Sequence, residues 1–111
     1  MNYHDKKFKP IENSSNGEVS PDMVFHYQQN GEVLTCQYKG ANIVKGEIIG
    51  LVDETGVIEM QYEQINNKGE VRTGKCTSTP ETLPSGKIRL HEKWQWTSGD
   101  YSHGQSIIEE V

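Results

Sequence analysis

The sequence predicts an all-β protein, an antiparallel up-and-down meander of about eight strands curled into a closed or nearly closed barrel. Three observations predict it. Turn signals punctuate the chain at Asn16-Gly17, Asn30-Gly31, Lys39-Gly40-Ala41-Asn42, Asp53-Glu54-Thr55-Gly56, Asn67-Lys68-Gly69, Pro84-Ser85-Gly86 and Ser98-Gly99-Asp100, and Asn and Gly tolerate the positive φ that tight hairpins require. The segments between them are rich in Val, Ile, Thr, Tyr and Trp and alternate in polarity, as strands with one wet face do. No segment keeps a helical period, because glycine and β-branched residues interrupt every candidate.

The elements follow in order along the chain. A first strand over residues 6–12 runs into a loop over 13–22, whose Asn, Ser, Gly and Pro21 place it on the surface. Strands at 23–29, 32–39, 42–52, 57–66 and 70–78 come next, each closed by one of the turns above. Thr79-Pro80-Glu81-Thr82-Leu83-Pro84 is the one long connection of the second half. Strands at 87–97 and 105–111 finish the chain. Short connections make sequential strands neighbours, and a flat meander of this length would leave two unpaired edges, which closure removes. A two-sheet β-sandwich is the alternative architecture. Either way the 111 residues form a single domain, and the sequence leaves the order of residues 1–5 open.

Composition narrows the function classes. The net charge of −5 argues against a nucleic-acid surface, which needs a basic face. No apolar run reaches the ~18 residues needed to span a bilayer as a helix. Met1-Asn2-Tyr3-His4-Asp5-Lys6-Lys7 leads into no apolar stretch of secretory type, so the chain reads as cytoplasmic, with Cys36 and Cys76 as free thiols. No C-x-x-C, P-loop, G-x-G-x-x-G or G-x-S-x-G motif occurs, so no cofactor is expected. His4, His26, His91 and His103 lack metal-ligand spacing and read as outward polar residues. Asn13-Ser14-Ser15 matches a glycosylation sequon that has meaning only in a secreted chain, and Ser102 with His103 makes no triad without geometry.

Alternation sorts each strand into two faces. The clearest is Ile88–Trp96: Ile88, Leu90, Glu92, Trp94 and Trp96 share one side, and Arg89, His91, Lys93 and Gln95 the other. The first set faces inward and carries a carboxylate, which burial makes costly unless it finds a partner or a raised pKa. Ile58, Met60, Tyr62 and Gln64 group together, as do Phe25, Tyr27 and Gln29, and Leu34, Cys36 and Tyr38. Val44, Gly46, Ile48, Gly50 and Val52 form the inward set of the 42–52 strand, and Arg72, Gly74, Cys76 and Ser78 that of the 70–78 strand. An inward Arg72 is the natural ion partner of Glu92. The candidate ligand-binding residues are therefore Glu92, Trp94, Trp96, Tyr62, Tyr27, Tyr38, Arg72 and Gln64: an aromatic lining with a few convergent polar groups. The same side chains could instead fill a narrow barrel as a structural network.

Phe25-His26-Tyr27, Tyr38-Lys39-Gly40, Gly46-Glu47-Ile48-Ile49-Gly50, the run Gly86 to Asp100 with Trp94 and Trp96, and Gly104-x-Ser106-x-Ile108-Glu109-Glu110 together resemble a family of small bacterial proteins. The resemblance covers residues 5–111, and members of that family often carry an N-acetylglutamate synthase label. The label implies acyl transfer. The chain shows neither the helix nor the glycine-bearing pyrophosphate turn that an acetyltransferase uses, and the resemblance carries over no catalytic residues. In architecture the chain also looks like the calycin and lipocalin barrels, a likeness that bears on fold alone.

Three functions follow from this reading. The first is a binding barrel for a small organic ligand, with the Tyr and Trp side chains as walls and Glu92 as polar anchor. The second is a structural or protein-interaction module with a filled core, including a homodimer through exposed Ile49, Leu51 and Ile107. The third is an enzyme with Glu92 as general acid or base, and it ranks last because no nucleophile accompanies the carboxylate.

Overall fold

A computed structural model of the protein describes residues 1–14, 20 and 22–111. Its strands are β1 (Lys7–Asn13), β2 (Phe25–His26), β3 (Gln28–Asn30), β4 (Val33–Gly40), β5 (Ile43–Val52), β6 (Ile58–Asn66), β7 (Val71–Thr82), β8 (Ile88–Trp96) and β9 (His103–Glu110). All pair antiparallel, in the order β2-β1-β9-β8-β7-β6-β5-β4-β3. The two ends of that order, β2 and β3, are halves of one stave interrupted at Tyr27, so the sheet curls into a nearly closed barrel. No described helix is long and apolar enough to cross a membrane.

The strand expected at 23–29 is thus split. Its first half pairs with β1 (Lys7↔His26, Phe8↔Phe25) and its second with β4 (Gln28↔Thr35, Asn30↔Val33). Tyr27 donates its N–H to Lys6 O and accepts from Asp5 N, which carries the seam across the break. The connection expected at 79–84 is also corrected. Thr79 to Thr82 continue β7 opposite His91 to Ile88. Pro80 is accommodated because β6 ends its pairing with β7 at Ser78, leaving no partner on that side to need the missing N–H. Of the loop expected over 13–22, residues 15–19 and 21 lie outside the described residues.

Three hairpin turns repeat one construction. Gly56, Gly69 and Gly86 donate to the carbonyls of Asp53, Asn66 and Leu83, and all three glycines have positive φ, as the last position of a three-residue hairpin loop requires. Asp53 and Asn66 add side-chain acceptors, Asp53 Oδ1 for the N–H of Thr55 and Val57 and Asn66 Oδ1 for those of Lys68 and Glu70.

The barrel has two unlike ends. One carries the β3–β4, β5–β6 and β7–β8 turns and is plugged by the N-terminal segment. Tyr3 lies fully buried there, its hydroxyl donating to Gly56 O and its N–H to Gln29 Oε1. Burial pushes the Tyr3 phenol up to about 12. Tyr3 and Phe8 pack around Tyr27, and Leu34, Ile58 and Leu90 fill the remaining space without exposure. The other end carries the β4–β5, β6–β7 and β8–β9 turns, and toward it lie Tyr38, Tyr62, Trp94 and Trp96.

Alternation holds along β4, β6 and β8. Along β5 it fails at one place. Val44, expected inside, is exposed, because the register shifts between Ile43 and Lys45 and the extra residue turns outward. Ile43 takes the interior position instead.

Candidate functional site

Seven of the eight expected site residues come together. Tyr27, Tyr38, Tyr62, Gln64, Glu92, Trp94 and Trp96 line one interior cavity of about 70 Å³, completed by Asn13, Phe25, Ile48, Met60, Cys76, Ser106 and Ile108. Four strands supply the key groups: β4 gives Tyr38, β6 Tyr62 and Gln64, β7 Cys76, and β8 Glu92, Trp94 and Trp96. Tyr27 enters from the break between β2 and β3.

The expectation for Arg72 is corrected. Its guanidinium lies 3.8 Å over the ring of Trp96, a cation–π contact, and it does not reach Glu92. The pairing explains why. Glu92 sits directly opposite Ser78 on β7 and Ser106 on β9, whereas Arg72 pairs with Gln64, near the far end of the strand. Ser78 Oγ donates to Glu92 Oε2 at 2.7 Å, Ser106 Oγ to Oε1 at 3.0 Å, and Cys76 Sγ approaches Oε2 at 3.9 Å.

Burial pushes the Glu92 carboxyl above the ordinary range, and the hydrogen bonds from Ser78, Ser106 and Cys76 pull it the other way. The desolvation of the site reaches the neighbouring groups. Burial raises the Tyr27, Tyr62 and Cys76 side chains, with the Glu92 charge adding to each. Cys36 is likewise pushed up to about 12 by burial. Both cysteines are buried free thiols, and such raised values make them poor nucleophiles.

A repeated cross-strand pairing makes room for the cavity. Tyr38 faces Gly46, Tyr62 faces Gly74 and Trp94 faces Gly104 on the neighbouring strand. A Cβ at each of these glycines would collide with the opposing ring. The rings therefore lie down against bare backbone along the wall, instead of standing into the middle of the barrel. Tyr62 and Trp96 meet edge-on at 5.5 Å, and Trp94 and Trp96 at 5.9 Å. The Tyr38 hydroxyl donates to Gln64 Oε1 at 2.7 Å, so Gln64, almost fully buried, helps to fix a wall. The Tyr27 hydroxyl bonds to no described residue, yet no buried polar side-chain atom lacks a partner among them. It is therefore open to the cavity that Tyr27 lines.

Sequence reasoning missed Ser78 as a Glu92 partner, although it placed that residue inside, and missed Ser106 altogether. The signal was in the turns. Centring hairpins on Pro84-Ser85-Gly86 and Ser98-Gly99-Asp100 sets Ser78 and Ser106 opposite Glu92. The histidines stand outside the cavity, with His26 bonded to Asp5 and His91 to Glu81. No cluster of His, Cys, Asp and Glu among the described residues could hold a metal ion.

Comparison with protein families gives one match: the family described as avidin-like protein, over residues 1–111. No curated protein and no solved structure matches the chain. The family match overturns the resemblance to proteins labelled N-acetylglutamate synthase, since it takes in the whole chain and nothing found carries that label. The chain belongs to the avidin-like protein family, a family of small β-barrel binding proteins.

Proposed function

We propose, of this member of the avidin-like family, that it binds a small organic ligand inside the barrel, with Glu92 as polar anchor. Tyr27, Tyr38, Tyr62, Trp94 and Trp96 form the walls, Gln64 holds the Tyr38 side, and Arg72 backs Trp96. The observation that carries this reading is a half-buried carboxylate set in an aromatic cavity, held by two serines and facing space instead of a protein cation. A protein that needed only a filled core would gain by replacing such a group with an apolar side chain. The cavity is several-fold smaller than the ~300–1,000 Å³ pockets that bury drug-sized ligands. This favours a small molecule, or the head of a larger one.

The test is native mass spectrometry of the purified protein after incubation with a cytosolic extract, and separately with biotin, a small ligand of the avidin-like family. Wild type is expected to carry a small adduct. Glu92→Gln is expected to lose it while keeping the fold, judged by far-ultraviolet circular dichroism. Gly74→Ala, which drives the Tyr62 ring into the cavity, is expected to lose it too, though the polar groups are untouched. A bare wild-type protein in every incubation overturns the reading.

A second reading rests on the outer face. Val33 pairs with Leu51 and Thr35 with Ile49 across β4 and β5, and Val33, Ile49 and Leu51 are exposed. Ile107, expected beside them, is half-buried on β9. These residues support self-association through the β4–β5 surface. Analytical ultracentrifugation showing a monomer at high concentration would remove it.

A further inference from the structure

We propose that the cavity is built for a small organic ammonium ion, held between the Glu92 carboxylate and the aromatic rings around it. The inference rests on the binding reading above and gives it a ligand class. Its starting point is a charge imbalance. Every donor that reaches Glu92, from Ser78, Ser106 and Cys76, points at the carboxylate oxygens, a set suited to the ionised, acceptor-only form. No Lys, Arg or His side chain lines the cavity among the described residues. An ionised carboxylate in this half-buried setting lacks a counter-charge, and drawing a charge out of water is costly unless it is paired.

The walls supply the second half of the argument. Tyr27, Tyr62, Trp94 and Trp96 present four aromatic rings to a small space, and a desolvated cation is attracted to such rings. Trp96 already holds one cation on its ring, the Arg72 guanidinium. Asp100, whose carboxyl is held below the ordinary range by hydrogen bonds from Ser102 and less strongly by the Arg72 charge, places an acid near Arg72 outside the cavity lining. An acid anchor with aromatic sides and little volume suits an alkylammonium better than an anion, which Glu92 repels, or a large neutral ring.

The pH dependence has a definite sign. The titratable groups facing the cavity besides Glu92 are Tyr27 from the broken stave, Tyr38 from β4, Tyr62 from β6 and Cys76 from β7; β1, β5 and β9 contribute Asn13, Ile48, Ser106 and Ile108, which do not titrate. Of these, Tyr27, Tyr62 and Cys76 are raised and stay neutral at ordinary pH. The coupled proton is therefore that of Glu92. A cation binds the ionised carboxylate, so affinity rises with pH and binding releases a proton.

The experiment compares tert-butylammonium with its neutral isostere tert-butanol, and methylammonium with methanol, by calorimetry and by the NMR shifts of the two indole N–H signals. Alkylammonium ions, like a lysine side chain of pKa ≈ 10.4, stay charged across the range used. The cation of at least one pair is expected to bind about tenfold or more tightly than its neutral partner, equivalent to ~1.4 kcal/mol. Its affinity should rise from mildly acidic to mildly alkaline pH, and in Glu92→Gln the preference for the cation should vanish. Equal binding of cation and isostere, or an affinity that falls with pH, overturns the inference in favour of a neutral ligand on a protonated Glu92 and leaves the binding reading standing. Failure of all four compounds with a protein that carries an adduct from extract overturns the inference alone. Failure of all four together with a bare protein removes both.

Discussion

The two ends of the barrel solve the same packing problem in opposite ways. At the plugged end, Leu34, Ile58 and Leu90 meet Tyr3 and Phe8 with no exposure, and the interior is full. At the other end, the walls are the larger side chains, yet the interior is not full. The difference lies in what stands opposite each ring. Tyr38, Tyr62 and Trp94 face glycines and fold down against them, so big residues line the space instead of occupying it. Side-chain volume alone does not decide whether a small barrel is solid; cross-strand register does.

The largest expected effect that tests this contrast is at the plugged end. Leu90→Ala is expected to lower the unfolding free energy by about 2–5 kcal/mol, as large-to-small changes in filled cores do, with the ligand-binding surface unchanged in the folded fraction. Urea unfolding followed by tryptophan fluorescence measures it, and a loss below ~1 kcal/mol would deny that this end is tightly filled.

A smaller effect sharpens the comparison by adding volume at both ends. Leu34→Phe overpacks a full region and is expected to cost about 1–3 kcal/mol. Ile48→Phe adds the same atoms beside the cavity. It is expected to cost less than Leu34→Phe while blocking ligand uptake. Equal costs at the two sites would erase the distinction.

The subtlest expected effect is a pH slope confined to the cavity end. The Glu92 carboxyl is raised in the folded protein above the unfolded value of 4.5. The folded state therefore binds the extra proton. The stabilisation from Glu92 is complete below the unfolded value and is lost as pH climbs through the folded one. The exposed carboxyls of Asp5, Asp53 and Glu81 are held low and contribute the opposite slope at more acidic pH. The difference between wild type and Glu92→Gln isolates this one carboxyl. Denaturation midpoints of wild type should fall relative to those of the variant as pH rises above the ordinary carboxylate range. Parallel midpoints would show that Glu92 keeps an ordinary pKa.

Much of this was legible in the sequence, for reasons that also explain the failures. β8 alternates strictly, so Ile88, Leu90, Glu92, Trp94 and Trp96 could be placed inside from a period of two alone. β7 reads Arg-Thr-Gly-Lys-Cys-Thr-Ser from Arg72 to Ser78, in which neither face is apolar, so Arg72 was matched to Glu92 by charge when register matched Ser78. The split of the closing stave at Tyr27 leaves no mark on local pattern, because it is imposed by closure of the whole sheet. Val44 was misplaced for a related reason: a bulge inverts alternation without altering composition. The glycines opposite the rings were visible one at a time, but their role appears only when neighbouring strands are aligned.

Closure also bears on how the chain reaches this state. Every pairing but one joins strands that are neighbours along the chain, or the halves of one stave to their neighbours, and can form soon after its turn does. The exception joins Phe8 to Glu110 and Pro10 to Ile108, across nearly the whole length of the polypeptide. The entropy cost of bringing such distant segments together grows with the logarithm of their separation, and contacts of this range slow folding. The hairpins from β4 to β9 are thus expected to assemble first, with the first strand docking last and carrying Tyr3 into place as it does. The plug and the final staple of the barrel then arrive in one step, so that the interior is sealed from the opposite end only once β9 is in place.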